Sequence, residues 1–286
     1  MKLPWLPTGV VRALPERGEI FYRHHVRQGT TDPTVLLLHG WTASADTQFF
    51  TAYEALAERY SFVAVDHRGH GRGMRAPFTL EDAADDAAML VRELGIGPVV
   101  LVGYSMGGPI SLLLADRHPH LVAGMVLEAT ALEWRETRRD RVRWKFLTLM
   151  GVGLRSRWYL YWLRFGLRRL GRVSSELDQW FPWLEGEIRR NDAHGMLEAG
   201  QALSRYDARG FAGSLGLPAE VLVTTKDHLV HPSKQRALAT ALGARVTELR
   251  GDHLCPLVQP AEFAAATRRL VDAVVSRLPD RAGVAG

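Results

Sequence analysis

The feature that most constrains this chain of 286 residues is an apolar run at residues 99–102 that leads into Gly-x-Ser-x-Gly at residues 103–107. A helical pattern follows, so the sequence predicts a strand that reverses sharply into a helix with Ser105 at the junction. Glycine at both ends of the motif removes side chains that would collide where the two backbones approach. The motif also occurs in ordinary glycine-rich turns, but its flanking strand and helix favour a serine presented as a nucleophile.

Strand and helix patterns alternate along much of the remaining sequence. Residues 19–26 predict an edge strand of a leading antiparallel hairpin, and residues 49–59 have helical spacing. Further strands are predicted from apolar runs at residues 35–38, 62–65, 122–127, 220–224 and 245–249. This order predicts an α/β fold with a mostly parallel, twisted sheet, helices on both faces and a ligand site beyond the carboxyl ends of the strands.

Five motifs that follow predicted strand ends resemble, in their order and spacing, those of the α/β-hydrolase family. They are Leu37-Leu38-His39-Gly40-Trp41, Asp66-His67-Arg68-Gly69-His70-Gly71, Gly103-Tyr104-Ser105-Met106-Gly107-Gly108, Asp227 and Gly251-Asp252-His253. The resemblance implies a core domain at residues 1–130 and 212–286. It also implies a helical cap at residues 131–211, inserted after the strand that follows the nucleophile helix.

A serine nucleophile needs a base within hydrogen-bond reach and a third group that orients the base. His253 is the expected base, because it follows a strand and comes last in the Ser, Asp, His order of the family. Asp227 is the expected acid, nine residues after Pro218, as in the family pattern. Many relatives have glycine where this chain has Thr224, and Glu128, at the end of another strand, remains the alternative acid.

The same resemblance implies that the backbone N–H groups of Trp41 and Met106 bind the oxyanion that forms when an acyl carbonyl is attacked. The Trp41 side chain either lines the acyl pocket or only packs, and both interpretations remain open. His39 is expected to support the oxyanion loop. Cys255 is expected to be a small buried hydrophobic residue, because a better-placed serine is present.

Composition limits the class of protein further. With 47% hydrophobic and 23% charged residues, the chain can bury one large core. Its one cysteine excludes an internal disulfide and suits a reducing compartment. Residues 1–7 lack the apolar region of a signal peptide, and no run reaches the roughly 18 apolar residues of a membrane span. A cytoplasmic protein is therefore expected.

The net charge of +5 has its source in the central insert, where residues 135–172 contain twelve Arg and Lys residues among many aromatic residues. One interpretation is that the aromatic residues pack the cap on the core and the arginines face solvent. Another is peripheral contact of this basic aromatic cap with an anionic membrane. Nucleic-acid binding is not expected, since no reader module is present.

Together these features predict a serine hydrolase of esterase or lipase type that needs no cofactor or metal. The expected substrate is a carboxylic ester of a lipophilic small molecule, cleaved through an acyl-enzyme. Serine at position 105 argues against haloalkane dehalogenases and epoxide hydrolases, whose relatives have aspartate there. The alternatives are a thioesterase, a carbon–carbon bond hydrolase, a cofactor-free perhydrolase or a non-catalytic ligand-binding protein.

Overall fold

The computed structural model describes residues 3–134, 161, 164–166, 168–169 and 175–279. These residues contain one eight-stranded sheet. The strand order is β1-β2-β4-β3-β5-β6-β7-β8. Strand β2 pairs antiparallel with β1 and β4, and the other neighbours are parallel. The strands are β1 Thr8–Leu14, β2 Gly18–His25, β3 Val35–Leu38, β4 Phe62–Val65, β5 Val99–Tyr104, β6 Val122–Glu128, β7 Ala219–Thr224 and β8 Arg245–Leu249.

Helices cover both faces of this sheet. Alternate residues of β3 enter different cores: Leu36 and Leu38 pack with the helices of one face, Val35 and Leu37 with those of the other. The predicted α/β architecture is therefore confirmed. The described helices are α1 Ala45–Phe49, α2 Tyr53–Ala57, α3 Leu80–Leu94, α4 Gly107–Arg117, α5 Ser175–Ile188, α6 Ala193–Leu203, α7 Pro232–Leu242, α8 Cys255–Val258 and α9 Pro260–Val275.

Two sequence-based expectations about local structure are wrong. The strand expected at the sheet edge, β2, is interior, because β4 pairs with its free side through Tyr22 and Val65. The edge is β1, where Val11 is 59% exposed. The single helix expected over residues 49–59 is two short helices, α1 and α2. Helix α1 begins at Ala45, earlier than the expected Phe49, because the Ser44 side chain caps it by accepting from the Thr47 N–H.

The described part of the predicted cap consists mainly of α5 and α6. On α5, Trp180 and Trp183 pack edge-on against Phe50, each with a ring centroid distance of 5.3 Å. Residues 135–160 of the basic aromatic segment lie outside the described residues. The division into core and cap and the contact with a membrane therefore stay predictions. No helix among the described residues has the length and apolar character to cross a membrane.

Candidate active site

Ser105 lies at the sharp turn between β5 and α4. Its φ of 52° is in the left-handed region, a strained conformation that the surrounding structure must hold. A side chain at Gly107 would overlap the Leu38 carbonyl, so glycine is required for the close approach of α4 to β3. The Ser105 N–H donates to the Glu128 carbonyl at 2.9 Å, and the Thr130 hydroxyl donates to the Ser105 carbonyl at 2.7 Å.

The three residues predicted to act together are brought into one hydrogen-bonded chain. His253 Nε2 lies 3.0 Å from Ser105 Oγ, and its Nδ1 lies 2.7 Å from Asp227 Oδ2. Because a carboxylate only accepts, Nδ1 carries the proton and Nε2 accepts from the serine hydroxyl. The Tyr104 hydroxyl donates to the His253 carbonyl at 3.0 Å and holds this loop on the sheet.

Asp227 is held as a carboxylate by a set of converging donors. Its Oδ1 accepts from the N–H groups of Leu229 at 2.8 Å and Val230 at 2.9 Å. Its Oδ2 accepts from His253 and from the Thr224 hydroxyl at 2.9 Å. Burial alone would raise the pKa of Asp227, but the bonds from His253, Val230 and Thr224 outweigh it and lower the pKa below its usual value.

Glu128, the alternative acid, is not hydrogen-bonded to His253. Its Oε1 accepts from the Thr267 hydroxyl of α9 at 2.7 Å, and its Oε2 has no hydrogen-bond partner among the described residues. Burial raises the pKa of Glu128 to about 8, so the side chain is mainly neutral at pH 7. The residue that meets His253 Nδ1 in the structure is Asp227.

The loop after β3, which contains Trp41, lies against Ser105. A side chain on Gly40 would lie 3.2 Å from Ser105 Cβ, which places the backbone of this loop against the serine. Met106 is fully buried at the N-cap of α4. The Trp41 indole packs on Gly200 of α6 and donates its N–H to the Met196 carbonyl at 2.8 Å. Packing against α6 is thus one observed role of this side chain.

Three buried histidines, His39, His67 and His70, contact one another next to Gly40. His39 Nε2 accepts from the His67 N–H at 3.0 Å, so its Nδ1 carries the proton that it donates to the Gly40 carbonyl at 2.8 Å. Its ring centroid is 4.2 Å from that of His67 and 5.4 Å from that of His70. Burial lowers the pKa of His67 to about 3 and that of His70 to about 4, and it lowers the pKa of His39 as well. All three are neutral at pH 7.

Cys255 is buried beside the site, with its Sγ 3.6 Å from the Tyr104 hydroxyl. Burial raises the pKa of this thiol to about 12, which opposes formation of a thiolate nucleophile. Among the described residues, no group of three or more His, Cys, Asp or Glu side chains is placed to hold a metal ion.

Two buried residues beside the acid are additional to the site residues expected from the sequence. The Thr224 hydroxyl, at a position where many relatives have glycine, donates to Asp227. Gln235 of α7 donates to the Thr224 hydroxyl at 2.9 Å and to the Val230 carbonyl at 2.7 Å. The sequence indicates Thr224 only as a threonine in a buried strand, three residues before the acid. Nothing in the sequence indicates Gln235.

Comparison with known proteins places this fold in a family. A sequence profile described as alpha/beta hydrolase fold matches residues 33–255, which include Ser105, Asp227 and His253. The chain belongs to this family. A bromoperoxidase structure from Bacillus anthracis superposes with a TM-score of 0.78 at 19% identity, covering 93% of this chain and 100% of that one. The family and the fold that the sequence motifs implied are confirmed.

Curated relatives are hydrolases of several kinds. The pimeloyl-[acyl-carrier protein] methyl ester esterase of Neisseria meningitidis serogroup C is 29% identical over 248 residues, 84% of this chain and 94% of that protein. The 2-(acetamidomethylene)succinate hydrolase of Mesorhizobium japonicum is 34% identical over 123 residues, only 40% of this chain and 44% of that protein. These relatives and the family support a hydrolase.

Proposed function

We propose that the protein is a serine hydrolase that cleaves a carboxylic ester of a lipophilic small molecule through an acyl-enzyme. The observation that carries this proposal is the chain of hydrogen bonds from Ser105 Oγ to His253 Nε2 at 3.0 Å and from His253 Nδ1 to Asp227 at 2.7 Å. Each bond has the direction needed for His253 to remove the serine proton.

In the proposed reaction, Ser105 Oγ attacks the ester carbonyl while its proton moves to His253 Nε2. The carboxylate of Asp227 stabilises the imidazolium that results. The N–H groups of Trp41 and Met106 bind the negative oxygen of the tetrahedral intermediate. His253 then protonates the leaving alcohol, and a water molecule activated by the same histidine hydrolyses the acyl-enzyme to release the acid and restore Ser105.

Two features support an ester of a lipophilic group. One of the relatives matched over most of their length is a methyl ester esterase, which favours a carboxylic ester as the substrate class. The Trp41 ring is partly buried, in the loop whose Gly40 lies against the serine, and Met106, which follows the serine, is fully buried. Apolar residues at these positions favour an uncharged acyl or alcohol group.

The test is hydrolysis of p-nitrophenyl esters from short to long acyl chains by the wild type, Ser105→Ala and Cys255→Ala. We expect activity that peaks at one chain length, falls by more than about 1000-fold in Ser105→Ala and persists in Cys255→Ala. Labelling by a fluorophosphonate probe should also require Ser105. If the wild type neither hydrolyses any ester nor takes up the probe, the proposed function is wrong and a ligand-binding member of the fold is favoured.

A further inference from the structure

The loop after β3 carries the Trp41 N–H, and side-chain donors hold the carbonyl groups of the residues before and after Trp41. On one side, the Gly40 carbonyl accepts the His39 Nδ1 proton at 2.8 Å. On the other side, the Thr42 carbonyl accepts from the side chain of Asn191 at 2.8 Å. Thr42 has a φ of 66°, in the left-handed region, a strained conformation that a non-glycine residue keeps only where neighbouring groups hold it.

Asn191 comes from the predicted cap, between α5 and α6, yet it is only 1% exposed. Its Nδ2 donates to the Thr42 carbonyl, and its Oδ1 accepts from the Gly71 N–H at 2.6 Å. A backbone N–H can only donate and a carbonyl can only accept, so these two partners fix which way the amide points. Asn191 thus ties the strained turn at Thr42 to the turn that follows β4.

The chain around Asn191 is packed too closely to shift independently of these turns. The Asp192 N–H donates to the Gly69 carbonyl at 2.9 Å. A side chain on Gly195 would lie 2.6 Å from the Gly69 Cα, so the start of α6 rests directly on that backbone. The carbonyl of Met196 accepts the Trp41 indole N–H. Two bonds from one segment, residues 191–196, therefore reach consecutive residues of the loop after β3.

We propose that Asn191 is a positioning residue for the reaction: by fixing Thr42 in its left-handed conformation, it orients the Trp41 N–H toward the oxyanion. This inference rests on the proposed function. The side-chain amide of Asn191 is hydrogen-bonded to the backbone of Thr42 and Gly71, so it acts through the backbone of Thr42. The insert would then be part of the catalytic framework as well as a cover over the substrate.

The test compares Asn191→Ala and Asn191→Asp with the wild type. Aspartate retains the acceptor for Gly71 but loses the donor to Thr42, so both variants should lose the anchor. We expect kcat to fall by about 10- to 100-fold, with KM changed less than about threefold, because the N–H matters most when the oxygen becomes negative. Affinity for an aryl boronic acid, which forms a tetrahedral adduct with Ser105 Oγ, should fall in proportion to kcat/KM.

Glu187→Gln is the matched control. The Glu187 carboxylate is buried in the same insert and binds Arg72 through both oxygens at 2.6 and 2.7 Å, but it does not contact the loop after β3. We expect this variant to lower the melting temperature and to retain kcat and boronic acid affinity within about threefold.

Three results would overturn parts of this argument in different ways. An active wild type with unchanged kcat in both Asn191 variants would overturn the positioning role alone. An equal fall in kcat for Glu187→Gln would also overturn it, because general loosening of the insert would then explain the loss. A wild type without ester hydrolysis or fluorophosphonate labelling would overturn the proposed function itself, and the positioning role with it.

Discussion

Two buried carboxyl groups lie at or just beyond the ends of neighbouring strands of the sheet and differ in charge. Asp227 lies three residues beyond β7, and Glu128 is the last residue of β6. Asp227 is 1% exposed and Glu128 is fully buried. Nevertheless the pKa of Asp227 is below its usual value, whereas burial raises the pKa of Glu128 to about 8. Burial therefore does not decide which of the two is a carboxylate at pH 7.

The difference lies in the number of donors that each position allows. Asp227 is in a loop, where the N–H groups of Leu229 and Val230 are not used by a strand and turn toward Oδ1. Glu128 is still in β6, so its backbone bonds belong to the sheet and its side chain meets only the Thr267 hydroxyl of α9. A carboxyl group within a covered strand has little chance of collecting the donors that an orienting acid needs.

The strongest test of this comparison is Asp227→Asn. The N–H groups of Leu229 and Val230 require an oxygen at the Oδ1 position, so the new NH₂ must face His253 Nδ1. The histidine would then carry its proton on Nε2 and could not accept one from Ser105. We expect kcat for p-nitrophenyl esters to fall by about 10⁴-fold, with a circular dichroism spectrum like that of the wild type.

Glu128→Gln is the control for that experiment and should retain kcat within about threefold, since glutamine has nearly the shape of a protonated glutamate. The opposite pattern would contradict the assignment. If Glu128→Gln lost activity and Asp227→Asn retained it, Glu128 would be the orienting acid.

The next largest effect concerns stability, and Glu128→Gln tests it too. The pKa of Glu128 rises from an ordinary 4.5 to about 8 on folding, so the folded chain binds a proton that the unfolded chain has lost between these pH values. Wild-type stability should therefore fall as pH rises through this window. Between these pH values, the free energy of unfolding of Glu128→Gln should exceed that of the wild type by about 1.4 kcal/mol more for each pH unit, and above them the difference should level off.

Urea unfolding of both proteins at several pH values would measure this difference. Below the ordinary pKa of glutamate the two should have similar stability, because both folded and unfolded wild-type chains are then protonated. A difference that does not depend on pH would mean that Glu128 is already ionised in the folded protein, contrary to the contrast with Asp227.

Much of this arrangement was predictable from short-range patterns. Continuous apolar runs predicted the parallel strands, and the glycines around Ser105 predicted the turn, because both signals depend on neighbouring residues. The predicted edge position of β2 is wrong because its pairing with β4 depends on residues 37 to 43 positions away. Asn191 carried no signal at all: its partner Thr42 is 149 residues distant in sequence. Asp227 and Glu128 both follow apolar runs, and only the folded chain shows which one collects donors.

The smallest predicted effect tests the donors themselves. Thr224→Val keeps the side-chain shape but removes the hydroxyl that donates to Asp227 Oδ2 at 2.9 Å. The pKa of Asp227 should rise, and kcat should fall by about tenfold or less, because Leu229, Val230 and His253 still bind the carboxylate. Since the wild-type pKa is lowered, the loss of stability should be largest above the ordinary pKa of 3.8 and should shrink as pH falls below it.

Thr267→Val is the equivalent of Thr224→Val for Glu128, because it removes the hydroxyl that donates to Glu128 Oε1. This variant should lose about 1 kcal/mol of stability and keep its kcat, since a neutral carboxyl group that is not bonded to His253 gains no catalytic role from that bond. Urea unfolding and ester hydrolysis, measured on both valine variants, would test whether the donors around Asp227 distinguish it from Glu128. Equal losses of kcat in the two variants would mean that the donors around Asp227 are not what distinguishes it from Glu128. A loss of kcat in Thr224→Val alone would assign the orienting role to Asp227, the carboxyl group that the loop keeps charged.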